Sequence, residues 1–264
     1  MAKLSTTPPL SFNTYGSGSE ALLAFHGYGQ NGSVYKRLAA ALKNKYTIYS
    51  FDLYFHGKSP GWPSGQAVTV AQWQQSVSSV LAQYNIDRFS MVSYSLGARF
   101  ALTLVETLGP RIDSMILIAP DGIKSSRWYQ WASGTWLGNR LLRHTVVRPR
   151  PFFRILNQAY RLGIIEKSVL KFVKAHMDTR TKRLKVYTRW TAFRRVQPNR
   201  RRVRQACNAH QITASFFLGK YDAVVKSRAI VKFHKSLNVS TLIILPCGHA
   251  NLIREVICYY ENQA

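Results

Sequence analysis

Acidic residues are scarce in this chain. Eleven Asp and Glu stand against 37 Lys and Arg in 264 residues, a formal charge of +26 at pH 7. That imbalance turns the surface away from cationic partners and toward anionic ones: nucleic acid, acidic lipid head groups or an acidic protein. Cysteine is rarer still. Cys207, Cys247 and Cys258 are odd in number and late in the chain, which excludes a disulfide framework, and no C-x-x-C spacing suggests zinc or redox work. Reduced thiols and a cytoplasmic location are the expectation. The opening "MAKLSTTPPLSF" lacks the apolar centre of a signal segment, and no run of about 18 apolar residues is present to span a bilayer. Attachment at a membrane surface stays open. No internal repeat or low-complexity tract is present.

What the chain does have is an ordinary hydrophobic fraction, 46%, and enough length for one large domain or a core with an insertion. Short apolar runs alternate with helical patterns over the first 122 residues. Strands are predicted at 21–27, 46–52, 88–95 and 112–120, and helices at 33–42, 69–84 and 96–108. The rhythm resumes with strands at 211–219 and 240–246 and helices at 227–237 and 250–260. Strand–helix–strand alternation of this kind predicts an α/β fold, a mostly parallel sheet with helices on both faces.

Residues 123–205 differ in character. They hold 22 Lys and Arg but two acids, Glu166 and Asp178, with Trp128, Trp131, Trp136, Trp190 and several phenylalanines among them. Stretches 165–176 and 181–196 carry apolar residues on one face and basic ones on another. So many apolar residues exclude a disordered tail. The expected organisation is a core of residues 1–122 and 206–264, interrupted by a strongly basic helical cap at 123–205.

Three polar residues, Ser93, Tyr94 and Ser95, stand where a predicted strand hands over to a helix, in "MVSYSLGAR" (91–99). This is the setting in which a nucleophile elbow exposes a hydroxyl and the following N–H helps bind an oxyanion. Ser95 is the candidate nucleophile and Leu96 the candidate donor; Gly97 permits close helix–strand packing. Ser93 occupies the place usually held by a first glycine. "HGYG" (26–29), after an earlier strand, can aim the N–H of Tyr28 into the same cleft, with His26 and Gly27 supporting the turn. Asp222, in "GKYDAVV", and His249, in "PCGHANL", follow two later strands in the order Ser, Asp, His expected for this chemistry. Asp121, in "APDG", is a competing acid, more suited to capping the exit toward the insertion.

Together these features resemble the α/β-hydrolase superfamily, over residues 10–122 and 206–262, with the 123–205 insertion where that family carries its lid. "FDLYFHGKS" (51–59) is similar to the family's D-x-x-G-x-G-x-S stretch, with Tyr54 and His56 read as standing in place of glycines. The resemblance implies Ser95 as nucleophile, His249 as general base, Asp222 as its orienting acid, and Tyr28 and Leu96 as oxyanion donors. It implies a carboxylesterase-type serine hydrolase of esters or thioesters. Lactone or carbon–carbon cleavage, or a ligand-sensing scaffold with little turnover, are the alternatives. No cofactor is expected. No metal is expected either, since His26, His56, His144, His176, His210 and His234 show no ligand spacing.

The basic cap is the most individual feature, and a solvated lid whose charge serves no specific partner is one reading of it. An acidic carrier protein bearing the acyl group, or an anionic membrane surface, are the partners its arginines suit, since a guanidinium fork bonds phosphate and carboxylate. Nucleic acid ranks below both, because no recognised binding motif accompanies the charge.

Overall fold

The structure, a computed structural model, describes residues 7–42, 45–124, 127–225 and 227–263. Residues 1–6, which open the stretch expected to hold no signal segment, lie outside them. The chain divides into two compact units, one of residues 1–62, 69–124 and 196–264, the other of residues 63–68 and 125–195.

In chain order, β1 (Phe12–Tyr15) and β2 (Glu20–Phe25) precede α1 (Lys36–Ala41), β3 (Tyr46–Phe51), α2 (Val70–Gln83), β4 (Phe89–Tyr94), α3 (Leu96–Leu108) and β5 (Ile112–Ile118). A run of helices follows: α4 (Arg127–Gly134), α5 (Trp136–Val147), α6 (Arg150–Arg161), α7 (Lys167–Met177) and α8 (Arg180–Phe193). Then come α9 (Arg200–Ala209), β6 (Thr213–Gly219), α10 (Ser227–His234), β7 (Ser240–Leu245) and α11 (His249–Glu261).

The strands of the larger unit make a seven-stranded sheet in the order β1-β3-β2-β4-β5-β6-β7. Every neighbouring pair is parallel except β1 with β3. This is the expected α/β architecture, a mostly parallel sheet flanked by helices. Strand β4 is buried along its whole length, as a central parallel strand covered on both faces must be. Strand β1 was not among the sequence-predicted strands. Its four residues are too few for a periodicity, and its place comes from tertiary contact: the Phe12 ring lies 5.4 Å from Phe51 and 5.6 Å from Tyr84.

Helix α2 starts at a reciprocal capping box between Thr69 and Gln72. It buries Trp73, Val77, Val80 and Leu81 on one face. The Trp73 indole N–H donates to the Phe100 carbonyl at 3.1 Å, and its ring meets Phe25 and Phe100 edge-on. This ties α2 to α3 and to the sheet beneath. Because β2 lies between β3 and β4, the winding reverses between β2 and β4. An open α/β sheet leaves a crevice at such a point, outside the carboxyl ends of its strands.

The smaller unit holds α4 to α8, joined by residues 63–68 through the Val68 N–H, which donates to Ala192 O at 2.8 Å. Helices expected at 165–176 and 181–196 fall at α7 and α8. Against the expected 123–205 span, the unit boundary lies at 195. Residues 196–209 belong to the larger unit, where the Asn199 N–H donates to Glu106 of α3 at 2.7 Å and α9 buries Val203 and Cys207. Four arginines in residues 200–204 mask that two-residue apolar face in the sequence.

Not all of the basic charge faces water. Arg183 of α8 is 7% exposed, and its guanidinium donates to the carbonyls of Val146, Met177 and Asp178 at 3.0–3.2 Å. It closes the carboxyl ends of α5 and α7 at once, where unpaired carbonyls and the helix dipoles favour a cation. Asn139 of α5 adds a link to α8, donating to Thr191 Oγ1 at 2.9 Å and accepting from the Tyr187 hydroxyl. Replacing Arg183 with Met leaves three carbonyls without their donor and is expected to lower stability by about 2 kcal/mol, measured by denaturant unfolding. An unchanged midpoint would remove Arg183 from this role.

Candidate active site

Ser95 follows β4 and precedes α3 with φ 49° and ψ −115°, a backbone conformation that costs a side chain-bearing residue roughly 1–3 kcal/mol. Three hydrogen bonds hold it there. The Ser95 N–H donates to Ile118 O at 2.9 Å, and Ser95 O accepts from Ala98 and Asp121 N–H at 3.0 and 3.1 Å. The turn also needs space. A Cβ on Gly97 would stand 2.0 Å from Phe25 O and 2.7 Å from His26 O, so α3 begins against the end of β2 only because residue 97 has no side chain. Ser93 is fully buried in β4 and its hydroxyl has no hydrogen-bond partner. The serine fits where a glycine was expected, without an evident polar role.

The loops after β6 and β7 bring the other two groups. His249 Nε2 is 3.0 Å from Ser95 Oγ, and His249 Nδ1 is 2.7 Å from Asp222 Oδ2. Asp222 Oδ1 accepts from the N–H of Val224 and Val225 at 2.8 and 3.0 Å. With both oxygens engaged and its side chain 4% exposed, this carboxylate is fixed in orientation. An ionised carboxylate only accepts, so Nδ1 carries the proton and Nε2 turns a lone pair to the serine. Asp121, the competing acid, pairs with the buried Arg99 at 2.5 Å.

Tyr94, the residue before Ser95, also reaches His249. Its ring stacks on the imidazole at 5.3 Å and its hydroxyl donates to His249 O at 2.7 Å. Burial raises the phenol pKa well above its ordinary value, with the negative charge of Asp222 adding to it, so this donor keeps its proton. The sequence gives no sign of the contact, which joins residues on different strand ends.

The "HGYG" segment forms a turn closed by Gln30 N–H to Gly27 O at 3.3 Å, with Gly29 at φ 78°. Two histidines and a glutamine fix it. His26 Nδ1 donates to Gly27 O at 2.7 Å while Nε2 accepts from Leu53 N–H at 3.1 Å. His56 donates to Tyr54 O at 2.9 Å and accepts from Gly29 N–H at 3.2 Å. The Gly27 N–H donates to Gln30 Oε1 at 3.0 Å. The amides of Gly27 and Gly29 are thus committed within the scaffold, and Tyr28 sits between them, half-buried. Leu96 opens α3, where the first N–H groups lack intrahelical partners.

His56 as a brace was missed in the sequence, and the reason is a register error in "FDLYFHGKS". The left-handed residues are Phe55 at φ 63° and Gly57 at φ 51°, so Phe55, not Tyr54, stands at the first glycine position. Gly57 keeps the second, and His56 replaces no glycine. A Cβ on Gly57 would fall 2.0 Å from Asp52 Oδ2. Asp52 uses that room to accept from Gly32 and Lys58 N–H, both at 2.7 Å, and so anchors the stretch beneath the turn.

The cysteines are free, and burial pushes the Cys207 thiol up to about 12 and raises that of Cys247. Among the described residues, no group of three or more His, Cys, Asp or Glu is placed to hold a metal ion, and no helix is long and apolar enough to cross a membrane.

A family model described as the alpha/beta hydrolase fold matches residues 20–256. The chain is 30% identical over 113 residues to a pimeloyl-[acyl-carrier protein] methyl ester esterase of Aliivibrio fischeri, an alignment covering 43% of this chain and 41% of that protein. The curated relatives it matches first are spanned over only 32% to 41% of their own length. Among solved structures, a thermophilic esterase from Thermogutta terrifontis superposes with a TM-score of 0.68 at 14% identity, over 96% of this chain and 91% of that one. An enol-lactonase from Burkholderia xenovorans gives 0.62 at 14% identity, over 96% and 94%. At such identities the likeness is one of fold.

Gly97→Ala is expected to lower stability by about 2–3 kcal/mol, because backbone carbonyls, not a flexible side chain, fill the space. Denaturant unfolding checks this; a neutral alanine would mean that α3 and β2 can separate without cost.

Proposed function

The chain belongs to the α/β-hydrolase family, and on that premise we propose that it is a serine hydrolase cleaving a carboxylic ester or thioester through an acyl-enzyme. The observation that carries the reading is the continuous line from Asp222 through His249 to Ser95. In this reading His249 Nε2 takes the Ser95 proton as Oγ bonds to the acyl carbon, and the N–H groups of Tyr28 and Leu96 hold the oxyanion. The imidazolium, stabilised by Asp222, returns the proton to the departing alcohol or thiol oxygen or sulfur. Water then repeats the sequence: His249 removes its proton, the oxygen bonds to the acyl carbon, and Ser95 leaves with the proton restored.

The strained Ser95 backbone supports the same reading, since strain of this kind persists where the surroundings enforce it for a purpose. The acyl group is delivered in this proposal from an anionic source, an acidic carrier or an anionic surface, engaged by the basic smaller unit. Residues 125–195 hold 17 Lys and Arg against two acids. The name of the Aliivibrio esterase, whose substrate is borne on an acyl carrier protein, is consistent with this.

A fluorophosphonate probe is expected to label the wild-type chain and not Ser95→Ala; a folded wild type that stays unlabelled overturns the proposal. Asp222→Asn is expected to lower kcat on a small soluble ester by about three to four orders of magnitude, while Asp121→Asn changes it less than about tenfold. The opposite ranking would make Asp121 the orienting acid.

A further inference from the structure

The outer face of the smaller unit combines two features that seldom occur together in water. Among the described residues, nine of the thirteen exposed large apolar side chains lie between Trp136 and Leu184. From 136 to 177 the sequence holds nine Lys and Arg and one acid, Glu166. Both features converge on α6. None of its twelve residues is buried, yet the helix is strongly two-sided. At 3.6 residues per turn, Arg150, Arg154 and Arg161 fall within about 40° of one another, and Phe152, Ile155, Leu156 and Ala159 occupy the opposite side, Ile155 exposed and the other three half-buried.

The apolar side continues beyond the helix. Gly163 at φ 69° ends α6, with Ile164 N–H returning to Ala159 O at 2.9 Å. That closure presents Leu162 and Ile164 in fixed positions, 67% and 71% exposed beside Ile155 at 71%. On α5, Trp136 is 75% exposed with the Arg140 guanidinium 5.4 Å over its ring. On α7, Lys167, Lys171 and Lys174 form a second exposed basic row.

We propose that this face, with α6 at its centre, is a docking surface for an anionic phospholipid bilayer. The inference rests on the proposed function only in its choice of an anionic partner, and commits that partner to lipid. A helix with arginines along one side and large apolar residues along the other lies in the plane of a bilayer interface, its apolar side among the upper acyl carbons and its cations at the phosphates. A protein partner fits less well. Cores of protein interfaces are depleted in charge, whereas basic and apolar residues alternate here across three consecutive segments. An acidic carrier would answer the arginines and leave Ile155, Leu162 and Ile164 in water.

Co-flotation of the full chain with vesicles tests this, using Ser95→Ala protein so that no lipid ester is cleaved during the measurement. Binding is expected to vesicles of phosphatidylglycerol mixed with phosphatidylcholine, and not to phosphatidylcholine alone. The triple variant Arg150→Gln, Arg154→Gln, Arg161→Gln is expected to bind about a hundredfold more weakly at low salt. Ile155→Ser with Leu162→Ser is expected to abolish the part of the binding that survives 0.5 M salt, reducing it by about tenfold or more. All these residues are exposed, and circular dichroism verifies that the variants fold. Absence of vesicle binding overturns the proposal. So does binding that the serine variants leave unchanged, which would be adsorption by charge alone. Capture of a purified acidic acyl carrier protein in the absence of vesicle binding would assign the face to a carrier instead. Since flotation reads no turnover, its failure leaves the hydrolase reading intact, and failure of probe labelling leaves the docking surface intact.

Discussion

The contact between Gly97 and the last carbonyls of β2 constrains everything at the candidate site. It lets α3 begin directly against the sheet, and that in turn obliges Ser95 to turn through a left-handed conformation. A residue so strained survives only when its neighbours leave no alternative, and the Ile118 carbonyl and the Asp121 and Ala98 amides supply that constraint. The Ser95 hydroxyl meets His249 Nε2 from this turn. The histidine and carboxylate then need only come from the two strands beyond β5, which the parallel winding delivers to the same end of the sheet.

The basic charge does different work in different places. Arg99 is buried beside the elbow and neutralises Asp121; Arg183 is buried between helix ends and closes them. The arginines of α6 do neither, and lie along the exposed side of their helix. A formal charge summed over the chain cannot separate these roles, because all three are the same side chain. Their difference lies in which carbonyls, carboxylates or water surround each guanidinium.

The strands of the sheet, the elbow and the order of Ser95, Asp222 and His249 were legible because each depends on local pattern: a short apolar run, a turn, a polar residue just past it. Four things were not. Strand β1 is defined by its partner more than by its own four residues. The bracing role of His56 needed the backbone angles of Phe55 and Gly57 to set its register. The unit boundary at 195, ten residues before the expected end of the insertion, was hidden because the arginines at the start of α9 resemble those before it, while Val203 and Cys207 give α9 its burial only once α3 is present. The stacking of Tyr94 on His249 joins residues with no sequence relation at all. Local chemistry was readable; what it touches across the fold was not.

The pairing of β5 with β6 sets Ser114 opposite Thr213, with residues 125–195 of the smaller unit in the intervening chain. Closing so long a loop is slow in entropic terms, and contacts within helices form faster. The half of the sheet that carries Ser95 therefore has all its own strands before the half that carries Asp222 and His249 can dock. On the proposed reading, the chain is made with its nucleophile ahead of its base. On the proposed reading, the line from Asp222 through His249 to Ser95 is complete only once β6 and β7 have joined the sheet.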